Sequence, residues 1–256
     1  MHVRLKAHSE IEKLRRANLM VSDVLDLCQE LARPGVSTWD MEEAARSYIH
    51  RAGARSAFLN YQPSSDMRPY PAVLCTSRNE KVVHGIPDRG ERLEEGDILS
   101  VDCGIFFDGY CGDAARTFAV GKVSDRAAHL IRTTEESLEK AIAMMVPGNR
   151  VSDLGDVIQR HAESAGYAVV RDFVGHGIGR EMHEPPQVPN MGPPGRGPLL
   201  QPGLVLAIEP MLCEGTWKVT ILDDGWTVVT RDRKLACHFE HSVAVTEGDP
   251  LVLSRR

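Results

Sequence analysis

The stretch GDILSVDCGIFFDGYCGDAARTF, residues 96–118, decides the fold of this 256-residue chain. Two apolar and aromatic runs flank Asp108-Gly109, a dipeptide typical of a two-residue β-hairpin turn. With that turn, Phe107 faces Tyr110, and two strand-like segments extend from it near 97–107 and 110–120. The sequence therefore predicts a long antiparallel hairpin.

The hairpin brings two carboxylates onto one face. In this register Asp113 lies opposite Gly104, and Asp102 is two residues along the same strand, hence on the same side. Diagonal neighbours of this kind have backbones roughly 7–8 Å apart, and Gly104 leaves space for the side chains. Two like charges repel and are costly to desolvate, and a divalent cation removes both penalties. We interpret the pair as a metal site, with a solvent-exposed hairpin face as the alternative.

Glu209 and Glu240 are two further acids in apolar surroundings. Glu209 ends the run LVLAIE, and Glu240 lies in LACHFEHSVAV, which predicts a single strand with residues 236, 238, 240, 242 and 244 on one face. Either acid alone is more often a surface residue. Together with Asp102, Asp113 and an imidazole they supply enough ligands for two ions. Four acids and one histidine suit Mn, Fe, Co or Zn.

The stretch VGHGIGREMHEPP, residues 174–186, supplies two histidines. Pro185 and Pro186 exclude the helix of an H-E-x-x-H zinc site. Glycines on both sides of His176 allow close backbone approach and favour a ligand position. We interpret four other histidines as surface or structural residues: His129, His161, His238 and His241.

Features recur in the same order in the two halves of the chain. Each half has a Pro-Gly pair, an Ala-Gly pair at the same spacing, a His-Gly-Ile, and an apolar run that ends in an acid. The matching positions are 34–35 with 147–148, 52–53 with 165–166, 84–86 with 176–178, and Asp102 with Glu209. The pattern predicts two similar α/β halves, about 9–120 and 124–246, that share one site within a single domain over 1–256. Coincidence of common cap and strand patterns is the alternative.

Capping residues predict four helices. The predicted starts are Ser9 with Glu12, Ser37 with Asp40, Ser124, and either Val151 or Ser152. The first helix is predicted to extend to about residue 32.

Composition narrows the functional class. A net charge of −6 argues against nucleic-acid binding, and no apolar run approaches the ~20 residues that cross a membrane. The charged start MHVRLKAHSEIEKLRR does not resemble a signal peptide. Six cysteines without a C-x-x-C pair are typical of free thiols in a reducing compartment. We expect a cytoplasmic protein.

Several stretches together resemble the type I methionine aminopeptidases, which are M24 metallopeptidases with the pita-bread (creatinase/aminopeptidase-like) fold. These are NEKVVHGIPD, VDCGIFFDGYCGDAARTF, FVGHGIGREMHEPPQV, LAIEPML, DDGWTVVTRD and FEHSVAVTE. The resemblance covers about Ser9 to Thr246. It implies an α+β fold, with two pseudo-twofold-related α/β halves around a central antiparallel sheet. It also implies removal of the N-terminal methionine from nascent proteins and peptides, by attack of a hydroxide held by two metal ions.

The resemblance also assigns residues. It implies five ligands of two divalent ions: Asp102, Asp113, His176, Glu209 and Glu240, of which Asp113 and Glu240 bridge both. Its catalytic residues would be His84, His183 and Glu209. Substrate would contact His84 and His183, and the methionine pocket would use Tyr70, Cys75, Met182 and Trp226, with Tyr61 nearby. The implied partner is a peptide or nascent-chain N-terminus, with the ribosome as a candidate partner of a monomeric enzyme.

Two departures concern the pocket. Met182 stands where the family often has phenylalanine, and QPSSDMRP, residues 62–69, looks like an insertion beside the pocket. Two other functions fit the same ligands: an X-Pro dipeptidase-like metallopeptidase, and a non-catalytic binding protein that keeps the fold.

Overall fold

The computed structural model describes residues 3–256. Its helices are α1 (His8–Leu31), α2 (Thr38–Arg51), α3 (Asp125–Ala143) and α4 (Val151–Ser164). Its first strands are β1 (Arg55–Ser56), β2 (Leu74–Arg78), β3 (Lys81–Val83), β4 (Ile98–Phe107), β5 (Tyr110–Ala119), β6 (Ala168–Val169), β7 (Gly175–Gly177) and β8 (Glu184–Val188). The remaining strands are β9 (Val205–Ile208), β10 (Met211–Cys213), β11 (Val219–Ile221), β12 (Val228–Thr230), β13 (Ala236–His238), β14 (Glu240–Ala244) and β15 (Leu251–Val252).

A central antiparallel sheet organises the described chain. Its strand order is β1-β4-β5-β14-β9-β7-β8, with β2 also paired to β4 and β15 to β14. Two smaller antiparallel sheets, β13-β10-β6 and β11-β12-β3, flank it. The predicted α+β class with a central antiparallel sheet is confirmed.

The hairpin has the predicted register. Phe107 pairs with Tyr110, and Gly104 pairs with Asp113. The turn residues Asp108 and Gly109 have φ values of 49° and 78°, the left-handed conformation that this turn needs. The turn chemistry therefore fixes the pairing of the two longest strands.

Helix starts follow capping chemistry. Ser37 Oγ accepts from Asp40 N at 3.2 Å, while Asp40 Oδ2 accepts from Ser37 N at 2.8 Å, as predicted. The predicted cap at Ser9 is wrong. The first helix begins at His8, because Glu10 accepts the Ala7 N–H at 3.0 Å and so stabilises an earlier start.

Each pair of helices covers its own apolar core. The core at α1 and α2 includes Val21, Leu25 and Met41 from the helices and Leu99 and Val101 from β4. The core at α3 and α4 includes four leucine and isoleucine side chains of the helices together with one from β9: Leu130, Leu138, Leu154, Ile158 and Leu206. Each such side chain contributes roughly 1.5–3 kcal/mol when fully buried. The limits of the repeat, 9–120 and 124–246, stay a prediction.

The segment 236–244 is not the single strand that its alternation predicts. It breaks at Phe239, whose N–H donates to Pro210 O at 3.3 Å. β13 pairs with β10 in a small sheet, whereas β14 pairs with β5 and β9 in the central sheet. The chain crosses between sheets here, so His238 and Glu240 lie on either side of the junction.

Residues 3–256 contain no helix long and apolar enough to cross a membrane. All six cysteine thiols in this part of the chain are buried and free.

Candidate active site

Five neighbouring strands of the central sheet each deliver one candidate ligand. In sheet order β4-β5-β14-β9-β7, the side chains are Asp102, Asp113, Glu240, Glu209 and His176, with Glu209 directly after the end of β9. His176 pairs with Ala207 and Glu240 with Ala115, which keeps these strands in register across the site. The strand order thus joins residues that are far apart in sequence.

Asp113 is buried, and Asp102 is partly buried with one carboxylate oxygen enclosed. Asp113 is 3% exposed, and its Oδ1 has no hydrogen-bond partner within residues 3–256; the same holds for Asp102 Oδ1. Burial raises the pKa of Asp102 to about 7. Burial, then the charges of Glu240 and Asp102, raise the pKa of Asp113 well above its usual range. The fold therefore holds two acids in a place where ionisation is costly without a cation.

The two glutamates, Glu209 and Glu240, also have raised pKa values. Burial and the charges of Asp102 and Asp113 raise the pKa of Glu209 well above its usual range. Burial and the charges of Asp102 and Glu209 do the same to the pKa of Glu240. Glu240 Oε1 also lacks a hydrogen-bond partner in the described part of the chain. Buried carboxylate oxygens without donors fit divalent cations, because a cation offsets both repulsion and desolvation.

His176 presents one ring nitrogen to these acids. Its Nδ1 lies 2.9 Å from Gly177 O, and a carbonyl can only accept, so Nδ1 carries the proton and Nε2 keeps its lone pair. Burial lowers the pKa of His176 to about 3. One ligand atom from each of Asp113, His176 and Glu240 lies within 4.8 Å of the others. This trio fits one metal ion.

Close packing around His176 explains its flanking glycines. A Cβ at Gly175 would lie 2.3 Å from Ala207 O, and one at Gly177 would lie 2.3 Å from Pro185 O. Only glycine lets β7 fit between its two neighbours here.

His183 lies beside His176 but has a different partner. Their ring centroids are 4.4 Å apart, with the planes at 85°. His183 Nδ1 lies 2.8 Å from the Tyr61 hydroxyl. Burial lowers the pKa of His183, so the ring is uncharged at neutral pH. If the hydroxyl donates, Nε2 carries the proton and is a hydrogen-bond donor.

His84 lines the same cavity from another element. It follows β3 with a φ of 58°, a left-handed conformation that is rare outside glycine. Its ring lies edge-on to Phe173 and Trp226, with centroids 5.4 Å and 6.3 Å away. Burial lowers the pKa of His84 to about 4. Strained backbone of this kind is typical of functional sites.

A cavity of about 440 Å³ opens onto the acids and imidazoles. Tyr61, which was predicted nearby, lines it, and so do the four residues predicted for the pocket: Tyr70, Cys75, Met182 and Trp226. Its other walls are mainly apolar, including Phe58, Phe173, Val174, Ile221 and Val228. An apolar pocket beside a cluster of acids suits a substrate with an apolar side chain next to a polar reacting group.

The pocket aromatics are held by hydrogen bonds. Asp224 Oδ1 accepts from Trp226 N at 2.7 Å, and the indole N–H donates to Arg68 O at 2.9 Å. The Tyr70 hydroxyl donates to backbone carbonyls 2.9 Å away, so its ring stays as a wall. The segment 62–69 contributes Met67 to the lining and Arg68 O to the indole.

Sequence reasoning missed Phe58 and His238. The glycine at position 104 was the one indication of Phe58, because a Cβ there would lie 2.8 Å from Phe58 Cε1. The room at Gly104 is therefore filled by a pocket wall. His238 was interpreted as structural, yet it is buried with its Nε2 3.9 Å from Glu209 Oε2. His129 and His241 do have such structural partners, in Tyr167 and Ser254.

Known proteins resemble this chain over nearly its whole length. Residues 12–247 match the model of metallopeptidase family M24. The methionine aminopeptidase of Clostridium acetobutylicum is 49% identical over 250 residues, 98% of each chain. The crystal structure of methionine aminopeptidase from Thermotoga maritima superposes with a TM-score of 0.96 at 43% identity, covering 100% of both chains.

A prolidase is similar to this chain in fold. The prolidase of Pyrococcus horikoshii superposes with a TM-score of 0.77 at 19% identity. The match covers 98% of this chain and 63% of the prolidase.

Proposed function

The chain belongs to metallopeptidase family M24, and we propose that it is a metal-dependent aminopeptidase that removes the N-terminal methionine from peptides and nascent proteins. The main support for this function is that a single cavity combines a polar floor with apolar walls. Its floor holds four acids and an imidazole, with Asp113 and Glu240 buried and Asp102 and Glu209 partly buried, and its walls are apolar and aromatic.

The donor set supports two metal ions. Asp113, His176 and Glu240 lie close enough for one ion, with Glu209 next to His176 as a fourth ligand. Asp102, together with Asp113 and Glu240, would hold the second. Four carboxylates carry four negative charges, which two divalent cations neutralise. Several transition metals suit this mixture of oxygen ligands with one nitrogen.

When bound, the two ions supply an activated water and polarise the scissile carbonyl. His183 donates Nε2–H to the carbonyl oxygen as negative charge develops there, with Tyr61 holding its other nitrogen. Glu209 takes a proton from the attacking water and passes it to the leaving amine. His84 lies on another wall and assists at the leaving nitrogen.

The apolar walls explain selection for methionine. A flexible thioether packs well against aromatic rings, and Tyr70 and Trp226 meet edge to face with centroids 5.2 Å apart. Met182 adds a second flexible thioether to the wall, and Met67 a third from the segment 62–69. The acids beside the pocket suit a free α-amino group, which limits cleavage to the first residue.

A substrate comparison tests this function against its rivals. Purified protein is freed of metal, supplied with Mn²⁺ or Co²⁺, and given Met-Ala-Ser and Ala-Pro separately. We expect methionine release and no cleavage of Ala-Pro. Cleavage of Ala-Pro without methionine release would support an X-Pro dipeptidase, and no cleavage of either would support a non-catalytic protein. An Asp113→Asn variant controls for contaminating peptidases.

A cytoplasmic location, a monomeric state and association with the ribosome stay predictions.

A further inference from the structure

His238 carries a buried ring nitrogen without a partner. The residue is 2% exposed, and its Nε2 makes no hydrogen bond within the described residues. Buried polar atoms are normally paired, because leaving one unmet costs folding free energy. Glu209 Oε2 lies 3.9 Å from this nitrogen, just beyond hydrogen-bond distance.

Glu209 lies between two imidazoles. Its Oε1 is 3.6 Å from His176 Nε2, and its Oε2 is 3.9 Å from His238 Nε2. A small rotation of the carboxylate would bring Oε2 to ordinary hydrogen-bond distance from His238. That bond would leave Oε1 directed toward His176 and the other acids.

The backbone of His238 is fixed to the hairpin that carries Asp102 and Asp113. Its N–H donates to Thr117 Oγ1 at 3.2 Å and to Ser100 Oγ at 3.3 Å. The Thr117 hydroxyl donates to His238 O at 2.7 Å. Ser100 and Thr117 are paired residues of β4 and β5. The backbone that carries the imidazole therefore has a fixed position relative to the strands of both aspartates.

We propose that His238 is a positioning residue whose Nε2–H donates to Glu209 Oε2 and directs Glu209 Oε1 to the metal ions. Hydrogen bonds to the outer atoms of ligands fix their orientation and raise metal affinity. The proposal rests on the proposed ligand role of Glu209. His238 acts through Glu209, because it is buried behind the residues that line the cavity.

Metal affinity without substrate tests the proposal. Titration calorimetry with Mn²⁺ compares the metal-free wild-type chain with His238→Met and His238→Gln. Methionine fills space without a donor, whereas the glutamine amide keeps an N–H. We expect His238→Met to bind Mn²⁺ about 10–100-fold more weakly, and His238→Gln to recover most of the loss. His129→Gln removes an imidazole that pairs with Tyr167 instead and should bind like the wild type.

A Glu209→Gln variant separates the proposal from its premise. Wild-type Mn²⁺ affinity in Glu209→Gln would refute the ligand role of Glu209. Weak binding by Glu209→Gln, with wild-type binding by His238→Met, would refute only the positioning role. Equal loss in His238→Met and His238→Gln would also overturn it, since the restored donor would then have no effect.

A second measurement needs no variant. Nitrogen NMR of histidine-labelled wild-type protein, loaded with Zn²⁺, reports which ring nitrogen of His238 carries the proton. The proposal requires Nε2–H, and an Nδ1–H tautomer would overturn it.

Discussion

The rings of His176 and His183 lie edge to face with centroids 4.4 Å apart, yet their nitrogens have different partners. His176 Nδ1 donates to a backbone carbonyl, which leaves Nε2 free beside Glu209. His183 Nδ1 faces the Tyr61 hydroxyl, which leaves its Nε2 for substrate. We therefore propose separate roles for these two adjacent imidazoles.

That separation predicts different losses in two alanine variants. We expect His176→Ala to bind less metal, because it removes the sole nitrogen from the proposed ligand set. His183→Ala should keep its metal, and its kcat should fall about 100-fold or more, as when one oxyanion donor is removed. Metal analysis and steady-state kinetics check both variants. Equal metal loss in the two would contradict this division.

The metal should stabilise the protein more at neutral than at acid pH. Burial raises the pKa of Asp102 from 3.8 to about 7. Between these two pH values the metal-free folded chain keeps a proton on Asp102 that the unfolded chain has lost. That raised pKa makes the contribution of Asp102 to stability fall as pH rises, by about 1.4 kcal/mol per pKa unit. Metal binding releases the proton and removes the penalty.

Thermal unfolding with and without Mn²⁺ at pH 5 and pH 7.5 measures this effect. The rise in Tm caused by Mn²⁺ should be larger at pH 7.5. The same rise at both pH values would contradict proton release from the buried acids.

Lys6 should stabilise the segment that carries His183. Its Nζ lies 2.8 Å from Glu184 Oε2, with side-chain exposures of 2% and 10%. Glu184 Oε1 also accepts from Arg180 N at 2.8 Å, and this hydrogen bond stabilises the turn over residues 180–184. Lys6→Ala leaves the largely buried Glu184 carboxylate without its cation and should lower the free energy of unfolding by about 3 kcal/mol.

Arg89→Ala is the matched control. Arg89 pairs with Glu43, with exposures of 72% and 56%, so its loss should cost about 0–1 kcal/mol. Denaturant unfolding of both variants gives the comparison. Equal free energies of unfolding for the two variants would show that the Lys6–Glu184 ion pair stabilises the fold no more than an exposed pair does.

Trp226 should govern affinity for the methionine side chain. Trp226→Leu removes a wall of the cavity, and we expect kcat/KM for Met-Ala-Ser to fall about tenfold or more, since one methylene in an apolar pocket is worth roughly 1–3 kcal/mol. Trp39→Leu, outside the cavity, should keep wild-type kinetics. Unchanged kcat/KM in Trp226→Leu would place the methionine elsewhere.

Local chemistry made part of this structure predictable. Asp108-Gly109 determined the hairpin register and so placed Asp102 and Asp113 on one face. Ser37 and Ser124 likewise marked true helix starts, because their hydroxyls accept from backbone N–H groups of the first turn. Signals within a few residues of one another have few alternatives.

The pairing of strands far apart in sequence could not be predicted from local residue patterns. Glu209 and His176 meet Asp113 only through the strand order β5-β14-β9-β7, which no local signal specifies. The apolar surroundings of the acids suggested that grouping, and the family resemblance assigned it residue by residue. The break at Phe239 was missed because alternation continues through it, and with it the approach of His238 to Glu209.

Methionine release by metal-free protein, before and after Mn²⁺ is restored, tests the central claim most directly. The substrate is Met-Ala-Ser, and the released methionine is measured over time. We predict no release without metal and full recovery after Mn²⁺ is added. Undiminished release from protein freed of metal would contradict the account.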